Sequence, residues 1–94
     1  MEAIAKLTYL QAKFLEDMVP DFKHRGRLKP GAIADITIFD PATVTDNAGW
    51  EKGRNSLPST GIPYVIVNGT VVVKDSKVLK GVYPGQPIRN AVLD

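Results

Sequence analysis

The chain has 94 residues, of which 44% are hydrophobic and 23% charged, and its formal net charge is +2. This length favours a single domain with a modest core, and the composition is that of a globular protein without a membrane-spanning run. The lack of cysteine excludes disulfides and Cys-based metal sites and agrees with a cytoplasmic location. Because Glu2, Lys6 and Lys13 interrupt the apolar positions near the start, we expect no signal peptide.

Residues 2–18 predict an amphipathic helix, because apolar side chains recur there at steps of three and four residues. The apolar stripe consists of Ala3, Leu7, Leu10, Phe14 and Met18. A break near Tyr9 and Leu10 would divide the segment into a helix pair, with the second helix restarting at Gln11. Pro20 is expected to end the helical pattern.

A basic cluster follows the helical segment. It consists of Lys23, His24, Arg25, Arg27 and Lys29. A nucleic-acid site would need stacking aromatic side chains beside these cations, and only Phe22 is near, so a solvated basic loop is favoured over nucleic-acid binding. His24 has no second histidine or carboxylate at ligand spacing, so we expect an exposed loop residue rather than a metal ligand.

Strand-like sequence begins after this cluster. Residues 35–39 alternate as a strand, and residues 41–61 lack any period and predict a long surface loop anchored by Val44 and Trp50. Residues 82–89 are punctuated by proline, which predicts an edge strand or an extended tail.

The strongest local signal is a hairpin. Two β-branched runs, residues 64–67 and 70–73, flank the Asn-Gly pair at 68–69, whose residues tolerate the positive φ of a two-residue turn. A second turn at residues 75–76 leads to a third strand at 78–79.

The order of elements predicts an α+β fold, in which a helix or helix pair precedes a small, mainly antiparallel β-sandwich or partial barrel. The expected core residues are Phe39, Val65, Val67 and Val72. Truncating one of them to alanine would cost about 2–4 kcal/mol if it is buried.

We predict no catalytic, cofactor-binding or metal-binding residue in the chain, because phosphate-loop glycine spacing and a Gly-x-Ser-x-Gly elbow are both missing. The candidate acids are Asp35, Asp40, Asp46 and Asp75. Asp40 and Asp75 are expected to bond nearby backbone, and Asp35 to fix the turn at 30–34, so structural roles are favoured over catalytic ones. Trp50 and Tyr64 are interpreted as loop or core anchors rather than ligand platforms.

Several motifs occur in a fixed order along the chain. Residues 26–41 contain Gly-Arg-Leu-Lys-Pro-Gly, Ala-Asp-Ile and Phe-Asp-Pro, residues 59–69 contain Ser-Thr-Gly-Ile and Val-Ile-Val-Asn-Gly, and residues 84–89 read Pro-Gly-Gln-Pro-Ile-Arg. Together they resemble the C-terminal signature of the amidohydrolase superfamily, and in particular its N-acyl-D-amino-acid deacylase branch with the D-glutamate deacylase-like members. Ile33, Ser76 and Gln86 stand where that family often has Asp, Gly and Arg.

The resemblance implies a metal-dependent (β/α)8 barrel that hydrolyses a C–N amide bond, with zinc as the implied metal, and a small composite β domain. Residues 1–24 would be the terminal helical segment of a barrel otherwise missing from this chain, and residues 25–94 the C-terminal share of the β domain. We therefore expect a non-catalytic portion, inactive alone, whose partner is the rest of the barrel.

Uncovered apolar faces and strand edges also predict self-association of the separate chain. The alternative is a stand-alone small β module that binds a protein partner through a sheet edge.

Overall fold

The structure, a computed structural model, describes residues 1–90. The described chain divides into two compact units, one formed by Met1–Asp35 with residues 85–90 and the other by Ile36–Pro84. The predicted boundary between a terminal barrel segment, residues 1–24, and a part of the β domain, residues 25–94, refers to a longer protein and stays a prediction. The end of the predicted 25–94 segment lies outside the described residues.

The N-terminal segment forms a helix pair, α1 at Glu2–Leu7 and α2 at Tyr9–Leu15. The break falls at Thr8, whose φ of −130° and ψ of −83° are not helical, slightly before the predicted position. The Thr8 hydroxyl donates to the carbonyl of Ile4 at 2.7 Å. A β-branched residue that bonds the preceding turn in this way favours a bend, which explains the position of the break.

The end of the helical segment differs from the prediction. Helix α2 ends at Leu15 rather than near Met18, and Pro20 begins a 3₁₀ helix, Pro20–His24, instead of ending a helix. The fixed φ of proline suits the first turn of a helix, where its missing N–H is not needed. None of the helices in the described part of the chain has the length and hydrophobicity needed to cross a bilayer.

The second unit contains one antiparallel sheet in the order β1-β2-β3-β4. Its strands are β1 Ile36–Ile38, β2 Tyr64–Val67, β3 Thr70–Lys74 and β4 Lys77–Val78. The sheet and the helices confirm the α+β class and the three-strand meander. The sandwich or partial barrel needs further strands and stays a proposal.

Both strand turns form where they were predicted, and both adopt left-handed conformations. Asn68 and Gly69 have φ values of 48° and 79°, as a type I′ turn requires, and Asp75 and Ser76 have values of 51° and 63°. Ser76 therefore carries the strain that glycine would avoid.

A bulge interrupts the pairing of β2 with β3. Val65 pairs with Val73 but the next residue, Ile66, pairs with Val71, which leaves Val72 without a partner in the β2–β3 register. The Val72 carbonyl instead accepts the N–H of Leu79 at 2.8 Å. A bulge of this kind breaks the inward–outward alternation of the strand locally.

The predicted core is only partly formed. Phe39 is 42% exposed, so its assignment to the core is wrong, while Val65, Val67 and Val72 are half-buried. Ala12, at 5%, is the buried hydrophobic residue of the described chain. A single sheet of short strands covers neither of its faces, which explains why the valines stay partly accessible.

The long loop between β1 and β2 is closed by backbone hydrogen bonds near its two ends. Thr45 and Thr60 form an isolated antiparallel bridge, and the Val44 N–H donates to the Asp40 carbonyl at 2.8 Å. Val44 thus helps to hold the loop through its backbone, although its side chain is 43% exposed. Trp50 is fully exposed at 105%, so its predicted anchoring role is wrong.

The proline-rich segment after β4 forms no strand up to residue 90, which agrees with the extended tail. The Asn68 side-chain amide donates to the carbonyl of Pro84 at 3.2 Å.

Candidate functional site

The motif at residues 24–35, here called the crossover segment, folds back on itself. The Ala32 N–H donates to the Lys29 carbonyl at 3.1 Å across Pro30 and Gly31, and Gly31 has a φ of 86°. Proline followed by a left-handed glycine is the signature of a type II turn. The Ile33 N–H then donates to the His24 carbonyl at 2.8 Å, which closes the segment.

An ion pair also closes the crossover segment. The Arg25 guanidinium donates to the carboxylate of Asp35, and the two side chains are 17% and 36% exposed. Asp35 therefore joins the two ends of the segment, in addition to any effect on the turn at 30–34.

A second arginine fastens the crossover segment to helix α2. Arg27 Nη2 donates to Glu16 Oε2 at 3.0 Å, and Arg27 Nε donates to the Arg25 carbonyl at 3.1 Å. Its guanidinium also lies 5.0 Å from the centre of the Tyr9 ring, within the range of a cation–π interaction. The Arg27 and Glu16 side chains are only 16% and 21% exposed, so water screens this pair less than a surface pair.

Gly26 lets the crossover segment approach the helix break closely. Its φ is 68°, and a Cβ placed there would lie 2.6 Å from the Thr8 carbonyl oxygen and 3.0 Å from the Ala12 Cβ. Any side chain at this position would push the segment away from the helix pair. Gly26 and Arg27 thus join the crossover segment to the helix pair, Gly26 by close packing and Arg27 by its ion pair with Glu16.

The basic cluster divides into two groups. Arg25 and Arg27 face carboxylates of the same chain, so the prediction of a solvated loop is wrong for them. Lys23, His24 and Lys29 are exposed, as predicted. No buried side-chain nitrogen or oxygen atom in residues 1–90 lacks a hydrogen-bond partner.

The other candidate acids lie in local turns. Asp40 Oδ1 accepts the Ala42 N–H and Asp46 Oδ1 accepts the Ala48 N–H, both at 2.9 Å. Asp75 lies in the β3–β4 turn. The predicted local bonding of Asp40 is confirmed, and within the described residues no three His, Asp or Glu side chains gather as a metal site.

Sequence reasoning missed the contacts of Glu16 and Tyr9 with Arg27. Glu16 precedes Arg27 by eleven positions, and Tyr9 lies further away still in the chain. No periodic rule links a helix residue to a loop arginine at such a distance. The only available signal was a carboxylate at the end of an amphipathic helix beside a basic cluster.

Helix α2 has two different sides. Tyr9, Ala12 and Glu16 face the crossover segment, as their contacts with Gly26 and Arg27 show. The other side carries Leu10 and Phe14, which are 46% and 77% exposed. A shallow groove runs there, lined by Lys6, Leu10, Gln11, Phe14 and Leu15.

Two further members of the predicted apolar stripe are also exposed. Leu7 is 71% exposed and Met18 is 59% exposed. All five members of the predicted stripe are therefore exposed, and Met18 lies beyond the end of α2.

Three curated proteins are similar to much of the chain. N-acyl-D-glutamate deacylase of Alcaligenes xylosoxydans xylosoxydans is 44% identical over 70 residues, which cover 74% of this chain and 13% of that protein. D-aminoacylase of the same organism is 46% identical over 48 residues, 51% of this chain and 10% of that protein. Dihydroorotase of Pelotomaculum thermopropionicum is 39% identical over 83 residues, 80% of this chain and 18% of that protein.

These relatives confirm the resemblance predicted from the motifs: the chain is homologous to part of the enzymes of the amidohydrolase superfamily. Two of the three are named as a deacylase and an aminoacylase, in agreement with the predicted branch. The chain spans less than a fifth of the length of each. No protein-family model and no solved structure matches the chain.

Proposed function

We propose that this chain is a non-catalytic C-terminal portion of a metal-dependent amidohydrolase of the N-acyl-D-amino-acid deacylase type. In the intact enzyme its sheet would form part of a composite β-sandwich, and its helices would pack against the barrel. The hydrolysis of a C–N amide bond would take place on residues outside this chain.

The observation that carries the proposal is the use of the charged motif residues. Arg25 and Asp35 bind each other, Arg27 binds Glu16, and Asp40 binds nearby backbone. A catalytic acid or base would need access to a substrate, whereas Arg25, Arg27 and Asp35 hold the crossover segment in place. The motif in the crossover segment therefore acts as a structural joint.

Zinc is the metal implied for the intact enzyme. The residues of this chain do not fit a zinc site, because His24 is exposed on a loop and no cluster of three ligand side chains forms within residues 1–90. Any zinc ligands therefore belong to the remainder of the enzyme.

The uncovered faces support a place within a larger protein. All four residues of β2 and Val71, Val72 and Val73 of β3 are half-buried, so both faces of the sheet are apolar and partly accessible. Sheets with two apolar faces are normally covered on both sides.

A chimera tests the proposal. The homologous segment of N-acyl-D-glutamate deacylase from Alcaligenes xylosoxydans xylosoxydans would be replaced by residues 24–90 of this chain, and hydrolysis of N-acyl-D-glutamate would be measured. We expect a folded, active chimera, because the joint and the hairpin supply the same supports.

A deletion of the segment serves as the negative control and should be insoluble or inactive. If the chimera is no more soluble or active than the deletion, the proposed role is wrong. An Arg27→Glu chimera should lose soluble yield, because the substitution places two carboxylates against each other.

A further inference from the structure

The Asn68-Gly69 pair of the hairpin turn is a chemically reactive sequence as well as a turn signal. Because glycine has no side chain, its backbone nitrogen is unhindered and can attack the side-chain amide of a preceding asparagine. Asn68 is the only one of the four asparagines of the chain that precedes a glycine. Its side chain is exposed, so the water that such a reaction consumes has access to it.

We propose that Asn68 is a deamidation site, and that its modification removes the hydrogen bond between the hairpin and the segment after β4. In the first step the Gly69 nitrogen gives its proton to hydroxide and forms a bond with Asn68 Cγ. The bond from Cγ to Nδ2 breaks, and Nδ2 leaves as ammonia with a proton taken from water. Water then opens the succinimide ring at one of its two carbonyl groups, which leaves aspartate or isoaspartate at position 68.

The closed turn holds the reacting atoms apart. Asn68 and Gly69 have φ values of 48° and 79°, which a type I′ turn combines with a ψ of about 30° at its first position. Such a ψ turns the Gly69 nitrogen away from the Asn68 side chain, whereas ring closure needs both on the same side of the Cα–C bond. The reaction therefore requires the turn to open. The strands that hold it have only four and five residues, and their valines are half-buried, which favours local opening.

Either product disturbs the contact that Asn68 makes after the turn. The Asn68 amide donates to the Pro84 carbonyl at 3.2 Å. Aspartate lacks this donor and places a carboxylate against the carbonyl oxygen, so two acceptors face each other. Isoaspartate also lengthens the main chain by a methylene group, which does not fit a two-residue turn between the paired residues Val67 and Thr70. Deamidation should therefore release the segment after β4 from the hairpin.

Incubation of the full chain at mildly alkaline pH, followed by peptide mass spectrometry with fragmentation, tests the site. We expect Asn68 to be converted in the folded chain, and roughly tenfold faster or more in urea, where the turn is open. Asn47 is the control, since it precedes alanine and its amide donates to the Pro58 carbonyl at 3.0 Å and to Thr60 Oγ1 at 3.1 Å. An Asn68 that stays intact in the folded chain, reacts no faster in urea, or reacts no faster than Asn47 would overturn the proposal.

The structural consequence is tested by Asn68→Asp, which reproduces the lost donor and the added charge without a chemical reaction. Thermal denaturation should show a Tm several degrees lower than that of the unchanged chain. Asn55→Asp is the matched control, because it makes the same change of charge in the exposed loop and should leave the Tm unchanged. Equal Tm values for the two variants would refute the effect on the segment after β4.

Discussion

Gly26 is a residue at which one added methyl group should have a large effect. Alanine there would have to accept a left-handed φ and a Cβ placed 2.6 Å from the Thr8 carbonyl oxygen. We expect Gly26→Ala to lower the free energy of unfolding by about 2–4 kcal/mol, measured by urea denaturation. Gly31→Ala is the control, because its φ is also positive but a Cβ would meet nothing within 4 Å. It should cost only about 1 kcal/mol, and equal losses would show that the contact with the helix break is unimportant.

At Ser76, introducing a glycine should stabilise the fold, in contrast to removing the glycine at position 26. Its φ of 63° is strained for a residue with a side chain. Ser76→Gly should therefore raise the free energy of unfolding by about 1 kcal/mol, measured by thermal denaturation. The reverse substitution in the other turn, Gly69→Ser, should lower it by a similar amount, since nothing else crowds that position. A stabilising Gly69→Ser would contradict this account.

Residue-scale features were predictable where the chemistry is local. The Asp40 side chain bonds the backbone two positions ahead, and Ser76 takes the second place of a two-residue turn. Both follow from neighbouring residues alone. The pair between Arg25 and Asp35 spans ten positions and depends on the path of the crossover segment. The sequence indicated a structural aspartate there but not its partner.

The joint between the crossover segment and α2 can be tested by removing one charge. Arg27→Met should lower the free energy of unfolding by about 1–3 kcal/mol, because it leaves the largely covered Glu16 carboxylate without its partner and removes the contact with Tyr9. Urea denaturation measures the loss. Arg54→Met is the matched control, since its pair with Glu51 is 62% and 81% exposed and should contribute less than about 0.5 kcal/mol. A loss of similar size for Arg54→Met would remove the special role of Arg27.

Helices and strands were predicted most accurately where residues typical of turns mark their ends. The hairpin of β2 and β3 follows from Asn-Gly between two β-branched runs, and its position is confirmed. The helix boundaries were less predictable. The apolar residues keep their helical spacing across Thr8 in the sequence, although the helix itself breaks at that residue. The bulge at Val72 has no sequence signal at all.

At the scale of the whole molecule, the fold class followed from the order of helices and strands, and the family from the order of motifs. The core did not follow, because each period-based assignment assumes that an apolar face meets another layer. Here the valines of the sheet are half-buried and Phe39 is exposed. The candidate joint was predicted as a motif, but its contacts with the helix pair needed the three-dimensional structure.

The exposure of Trp50 provides a built-in optical probe. It is the only tryptophan of the chain, it is 105% exposed, and its loop is held by a hydrogen bond of 2.9 Å from the Gly49 N–H to the Arg54 carbonyl. Its fluorescence should therefore peak near the wavelength of free indole in water and be fully open to quenching by iodide. Any protein that covers this loop will shift the emission to the blue and slow the quenching. Binding can thus be followed at low concentration without attaching a dye.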